Sequence, residues 1–143
     1  MAGSYLALDV GTRTIGVAVA DVAIGLPLPD RVLARKGVAK DAALVAELCR
    51  TRRVVAVVVG LPLDLEGAET RSTRLARQVG EAVGAATGLP VHWQDERYST
   101  LEAEARLQSA GVDGRARRGL IDAHAAVVIL EDWLRGRVPK TPG

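Results

Sequence analysis

Three acidic residues stand in apolar or strand-end surroundings, where an ionised carboxylate is costly unless it has a partner. Asp9 lies within the apolar run YLALDV at residues 5–10, and Asp122 lies within GLIDAHAAVVIL at residues 119–130. Glu96 closely follows the apolar segment LPVHW, at the point where a strand gives way to a loop. One shared partner would account for all three.

A divalent cation is the partner that explains the three acids together. Carboxylate oxygens suit Mg²⁺ or Mn²⁺, which keep several waters and take phosphate oxygens as further ligands. Two such ions about 4 Å apart can activate a water and stabilise the leaving oxygen of a phosphodiester. Without metal, clustered carboxylates repel one another, so at least one of them should have a raised pKa. The pattern therefore predicts a two-ion centre that acts on phosphodiesters.

Structural explanations remain open for the single residues. Asp122 could cap a helix or pair with an arginine, and Glu96 taken alone is ordinary because strand ends are commonly acidic. Asp64, in the loop LPLDLEG, could be a fourth acid near the metal, but turns are rich in Asp and a loop role is favoured. His92 and His124 accompany no GxSxG motif, and we interpret them as structural or solvated, with His124 on the polar side of its helix.

The elements that must position the acids indicate an α/β domain. An apolar fraction of 48% with 3% aromatic residues and no Phe favours a sheet of Val, Leu, Ala and Ile covered by helices. Residues 5–10 and 15–20 flank GTRT and predict a hairpin, which GLPLPDRVLA extends with a third strand. VVAVVVG at residues 54–60 is apolar on both faces, as in a central parallel strand, and another short strand ends near Glu96. The predicted sheet is therefore mixed.

The helical pattern and the chain length predict one domain. Helices are expected over about 40–51, 70–86, 99–111 and 117–134. We assign residues 1–136 to a single domain and expect residues 137–143 to form a flexible tail.

Cys49 is the only cysteine, which excludes an internal disulfide, and its helical pattern predicts a packed thiol. No apolar run reaches the length of a membrane span and no leader is apparent, so we expect a cytoplasmic protein without a membrane partner.

Arginine supplies 16 of the 19 basic residues, although the net charge is only +2. Its forked guanidinium suits phosphate oxygens. Arg71, Arg74 and Arg77 recur at every third residue of one helix, a pattern that fits a solvated face balanced by nearby Glu and a groove for nucleic acid equally well. Aromatic residues are too few for base stacking, so recognition should rest on shape and phosphates. The arginines expected to hold backbone phosphates lie in the first turn and before the last helix: Arg13, Arg115, Arg117 and Arg118.

Four segments together resemble the YqgF or RuvX family of ribonuclease-H-like proteins: LALDVGTRTIGVAVAD, VVVGLPLDLEG, DERYST and IDAHAAVVILEDWL. They follow one another over nearly the whole chain. The resemblance implies a five-stranded mixed sheet flanked by helices, with an antiparallel three-strand meander and two parallel strands. It also implies that Asp9, Glu96 and Asp122 form the metal-binding catalytic set. Arg97, in the DER segment, would contact the scissile phosphate or orient Glu96.

The same resemblance implies a divalent-metal-dependent endonuclease that hydrolyses phosphodiesters in structured nucleic acid. It would act as a Holliday junction resolvase, in 5′-end maturation of pre-16S rRNA, or in both, so branched DNA and precursor rRNA are the expected partners. Symmetric cutting of a junction would call for a homodimer. A non-catalytic nucleic-acid-binding factor in ribosome assembly is the alternative. Asp64, where the family often has Asn, and YST, where LTT or LST is common, depart from its pattern.

Overall fold

The computed structural model describes residues 3–96 and 114–137, with side chains over 3–96 and 123–136. The helix predicted over 99–111 and the tail after residue 137 lie outside these ranges. The described strands are β1 (Ser4–Val10), β2 (Thr14–Asp21), β3 (Leu28–Ala34), β4 (Val54–Leu61) and β5 (Val91–Asp95). The described helices are α1 (Val38–Thr51), α2 (Arg71–Thr87) and, near the end of the chain, α3 (Gly114–Arg137).

The five strands form one mixed sheet in the order β3-β2-β1-β4-β5. β1, β2 and β3 are antiparallel neighbours, whereas β4 is parallel to both β1 and β5. This arrangement confirms the predicted meander with two added parallel strands. Three successive residues of β4, Val57, Val58 and Val59, are fully buried. A strand with helices on both faces needs apolar side chains on both, which explains the unbroken valine run.

Each face of the sheet has its own core. On one face, Leu6, Leu8 and Val10 of β1 belong to a cluster that includes residues of α1 and α2. On the other face, Ala7 of β1 packs with residues of α3 such as Ala126. Because side chains alternate along a strand, Asp9 shares the α3 face with Ala7. The acid therefore lies at the end of the strip that α3 covers.

Small residues in register allow α3 to approach the sheet closely. Ala7 lies opposite Ala18 in the hairpin register, and Asp9 lies opposite Gly16. Ala125 and Ala126 of α3 are fully buried as well. Large side chains on either element would hold the helix away from the strands, so this composition sets the distance between α3 and the β1 acid.

A buried ion pair fixes the turn that follows Asp9. Arg35 Nε lies 2.7 Å from Asp41 Oδ2, and Arg35 Nη1 donates to the carbonyl oxygen of Gly11 at 3.2 Å. Asp41 is only 1% exposed, and its second oxygen accepts the Lys36 N–H at 2.8 Å. The carboxylate thus joins the start of α1, through one arginine, to the β1–β2 turn. In the sequence, Asp41 stands out only as an acid near the start of a helix, and nothing in the pattern reveals its burial.

Candidate metal centre

Asp9 lies near the carboxyl end of β1, with its side chain half-buried on the α3 face. The antiparallel register places Gly16 of β2 opposite it. On the other side, Leu8 is in register with Val59 of β4, so Asp9 lies beside Gly60. Glycine is thus the neighbour of Asp9 on both adjoining strands, so no Cβ atom flanks its side chain there.

Glu96 directly follows β5 and is 8% exposed. Its backbone N–H donates to the carbonyl oxygen of Leu61 at 3.1 Å, so the residue continues the β4–β5 ladder by one step. His92 packs on Trp133 of α3, with ring centroids 5.1 Å apart. Since alternate residues of a strand share a face, Glu96 lies on the same α3 face as His92 and Asp9.

Gly60 of β4 lies between the two acids. A Cβ atom at this position would be 3.7 Å from Glu96 Cγ and 2.4 Å from Ile129 Cδ1 of α3. The missing side chain therefore lets Ile129 of α3 pack directly against the β4 backbone beside Glu96. In the sequence, this glycine marks only the end of the valine run at residues 54–60. The signal for its role was a lone glycine at the end of a valine run.

The separation of the two acids suits a shared cation site. Asp9 and Glu96 are two strands apart, and neighbouring strands are about 4.8 Å apart, so their backbones are separated laterally by about 9.6 Å. Both side chains belong to one face of the sheet, on either side of the same glycine. Two hard oxygen donors of this kind fit Mg²⁺ or Mn²⁺.

The direction of α3 places position 122 toward this edge of the sheet. Trp133 packs on Tyr5 at the start of β1, with ring centroids 5.0 Å apart, whereas Ile129 reaches Gly60 at the end of β4. The helix therefore runs antiparallel to β1 and β4. Asp122 is seven residues before Ile129, or about 10.5 Å farther along the axis. Its backbone belongs to α3, while its side chain lies outside the described part of the structure.

The structure describes the side chain of only one of the arginines predicted to bind phosphate. Arg13 is exposed in the β1–β2 turn, next to the carboxyl end of β1. Arg97 lies outside the described residues. The first turns of α3 contain Arg115, Arg117 and Arg118, whose side chains are likewise outside them. Among the side chains that are described, no three His, Cys, Asp or Glu residues form a group able to hold a metal ion.

Asp64 has a structural role in the loop after β4. Its Oδ1 accepts the backbone N–H groups of Glu66 at 3.0 Å and Ala68 at 2.8 Å. An aspartate that bonds to the backbone two residues ahead is characteristic of an Asx turn. This geometry supports the loop interpretation over that of a fourth metal ligand.

Two other side chains test the sequence interpretation. Cys49 is buried, and this burial raises the pKa of its thiol to about 11, which confirms a packed, unreactive cysteine. The prediction that His124 lies on the polar side of its helix is wrong in part. The side chain is half-buried, and its Nε2 atom is shielded from solvent with no hydrogen-bond partner among the described residues. Helical spacing alone did not reveal that α3 is packed on more than one side.

The chain matches a known protein family over most of its length. A family model described as "RuvX: Holliday junction resolvase" matches residues 3–136. The chain belongs to the RuvX family. A relative from Anaeromyxobacter dehalogenans (strain 2CP-C), named "Putative pre-16S rRNA nuclease", is 46% identical over 94% of this chain and 98% of the relative. A relative of the same name from Leifsonia xyli subsp. xyli is 40% identical over 92% of this chain and 85% of its own length.

The RuvX chain also resembles a solved nuclease in fold. The structure described as "T. thermophilus RuvC in complex with Holliday junction substrate" matches with a TM-score of 0.60 and 21% sequence identity, over 95% of this chain and 96% of that one. At this identity the likeness concerns the fold, which is ribonuclease-H-like. In the described part of this RuvX chain, no helix combines the length and apolar character that crossing a membrane demands.

Proposed function

We propose that this RuvX protein is a divalent-metal-dependent endonuclease that hydrolyses phosphodiesters in structured nucleic acid. Its substrate would be a Holliday junction, the 5′ end of pre-16S rRNA, or both. The observation that carries the proposal is the placement of Asp9 and Glu96 on one sheet face, on either side of Gly60 of β4. Family membership and the names of the relatives support the reaction class.

In this proposal Asp9 and Glu96 hold the cations, and Asp122 completes the ligand set from α3. When bound, a pair of Mg²⁺ or Mn²⁺ ions supplies an activated water and stabilises the leaving oxygen. Glu96, which is 8% exposed, lies where solvent screens charges weakly, so its attraction to a cation is stronger than at the surface. Asp9 sits on a strand bonded on both sides, which holds its carboxylate in place.

Substrate binding in this proposal depends on phosphate contacts. Arg13 and Arg97, together with Arg115, Arg117 and Arg118, would hold the backbone around the scissile bond. Such contacts position a duplex or a branch without reading its bases. If the substrate is a four-way junction, paired cuts would require a homodimer whose two sites face two strands.

The test is a cleavage assay on a four-way DNA junction and a pre-16S rRNA fragment, with Mg²⁺, with Mn²⁺ and with chelator. We expect cleavage that needs the metal. Asp9→Asn and Glu96→Gln should each reduce the rate by more than about 100-fold, because metal-assisted charge stabilisation is worth several kcal/mol. Asp64→Asn is the matched control, since it removes a carboxylate in the adjoining loop yet keeps an oxygen for the Asx turn.

The outcomes separate the proposal from its alternative. Tight binding of either nucleic acid without cleavage under any metal condition would support a non-catalytic assembly factor. Cleavage that persists in both Asp9→Asn and Glu96→Gln would show that the reaction takes place elsewhere or in a contaminant.

A further inference from the structure

A groove of about 590 Å³ lies between the β1–β2 turn and the first half of α2. Its lining carries hydroxyl, amide and guanidinium groups, and the lining residues described include no acid. We call it the α2 groove, and its residues are Thr12, Arg71, Ser72, Arg74, Leu75 and Gln78.

The α2 groove opens at the same sheet edge as the candidate metal centre. Thr73 Oγ1 donates to the carbonyl oxygen of Pro62 at 2.8 Å, which ties the start of α2 to the residue after β4. Thr12 follows Asp9 by three residues, so their Cα atoms are within about 11 Å of each other. Successive base pairs of a duplex rise about 3.4 Å along its axis. Because α2 covers one face of the sheet and the acids lie on the other, a strand at the metal centre would pass round this edge and place phosphates at the groove within a few nucleotides.

The arginines of α2 differ in their partners. Arg77 Nε lies 2.6 Å from Glu69 Oε1, and its guanidinium carbon is 5.4 Å from the ring centroid of Trp93. Arg71 and Arg74 are exposed, and neither has an acidic partner within the described part of the chain. Of the two interpretations that the sequence left open, a solvated and balanced face thus fits Arg77 alone. The other two guanidiniums are available to an external anion.

We propose that the α2 groove binds the sugar–phosphate backbone of the nucleic acid beside the scissile bond, with Arg71 and Arg74 each neutralising one phosphate. This inference rests on the proposed function and adds a path for the substrate. Two cations among hydroxyl and amide donors match a repeating phosphodiester better than an apolar or cationic partner. The forked guanidinium also favours phosphate over a simple point charge.

The test measures binding as a function of salt in the Asp9→Asn background, where cleavage does not interfere. Anisotropy of a labelled duplex and a labelled four-way junction gives the slope of log K against log salt between 50 and 200 mM. Arg71→Gln/Arg74→Gln should make this slope shallower by about 1.8, because each neutralised phosphate contributes about 0.9 on duplex DNA. Affinity should fall at low salt and fall equally for unrelated sequences, since phosphate contacts do not read bases.

Arg50→Gln/Arg53→Gln is the matched control, because it removes the same formal charge from exposed residues at the opposite end of β4. An unchanged slope for the α2 pair, or an equal change in the control pair, would overturn the proposal. Displacement of the labelled DNA by inorganic phosphate at constant ionic strength, with no change of slope, would also overturn it and indicate a small-anion site. If the native protein binds through these arginines but never cleaves, the proposed function fails while this inference stands.

Discussion

Replacing Gly60 with alanine tests the packing on which the candidate metal centre depends. The added methyl would lie 2.4 Å from Ile129 Cδ1 and 3.0 Å from Ile129 Cγ1. Ile129 is 1% exposed, so it has little free space into which to turn. Overpacking of this kind costs about 1–3 kcal/mol. It should outweigh the gain of about 0.4–1 kcal/mol that alanine brings by restricting the unfolded chain.

The assay is urea unfolding followed by circular dichroism, applied to a double-mutant cycle. Ile129→Val removes the Cδ1 atom that meets the new methyl, at a cost of about 0.5–1.5 kcal/mol alone. The double variant Gly60→Ala/Ile129→Val should therefore be more stable than the sum of the single effects predicts, by at least about 0.5 kcal/mol. Gly60→Ala as stable as the native protein, or strictly additive effects, would refute the close contact between β4 and α3.

The same cycle separates stability from function. The methyl would also lie 3.7 Å from Glu96 Cγ, on the strand between the two acids. If cations bind between Asp9 and Glu96, the double variant should regain stability while Mn²⁺ binding, measured by calorimetry, stays weaker than in Ile129→Val. Native-like Mn²⁺ affinity in the stable double variant would show that metal binding does not need a glycine at position 60.

Three other residues give further expectations. Asp41→Asn should destabilise the fold by about 3 kcal/mol in urea unfolding, because it leaves the mostly buried Arg35 without its carboxylate; a change below about 0.5 kcal/mol would contradict a structural ion pair. Cys49 should resist a thiol reagent at pH 8 until urea unfolds the chain, and stability should fall as the pH rises from about 9 towards 11, because the unfolded thiol ionises first; rapid labelling of the native protein would argue against burial. Thr73→Val should cost about 1–2 kcal/mol, because it removes the bond to Pro62 and half of the capping box of α2; Thr73→Ser should retain most of the stability.

Periodicity and composition were sufficient for the elements that surround the site. The hairpin over β1 and β2 follows from two alternating runs around GTRT, and β4 follows from a run that is apolar on both faces. Both patterns arise from burial, which acts locally along a strand. For this reason the sequence alone predicted that Asp9 lies in a strand and that another strand leads to Glu96.

Contacts across elements were not predictable in the same way. The role of Gly60 depends on Ile129, which is 69 positions later in the chain, and no local pattern links the two. Where Glu69 and Trp93 lie in space decides that Arg77 is paired, whereas Arg71 and Arg74 have no acidic partner among the described residues. The roles of Asp122 and Arg97 stay predictions, because their side chains lie outside the described structure.

The position of α3 in the chain has a consequence for the timing of activity during synthesis. α3 covers the Ala7 face of the sheet and contains Asp122, yet the ribosome makes it after every strand of the sheet. A nascent chain without α3 would expose one side of the sheet and lack one of the three predicted metal ligands. If cleavage of nucleic acid depends on Asp122, it can begin only after α3 has left the ribosome and packed on the sheet.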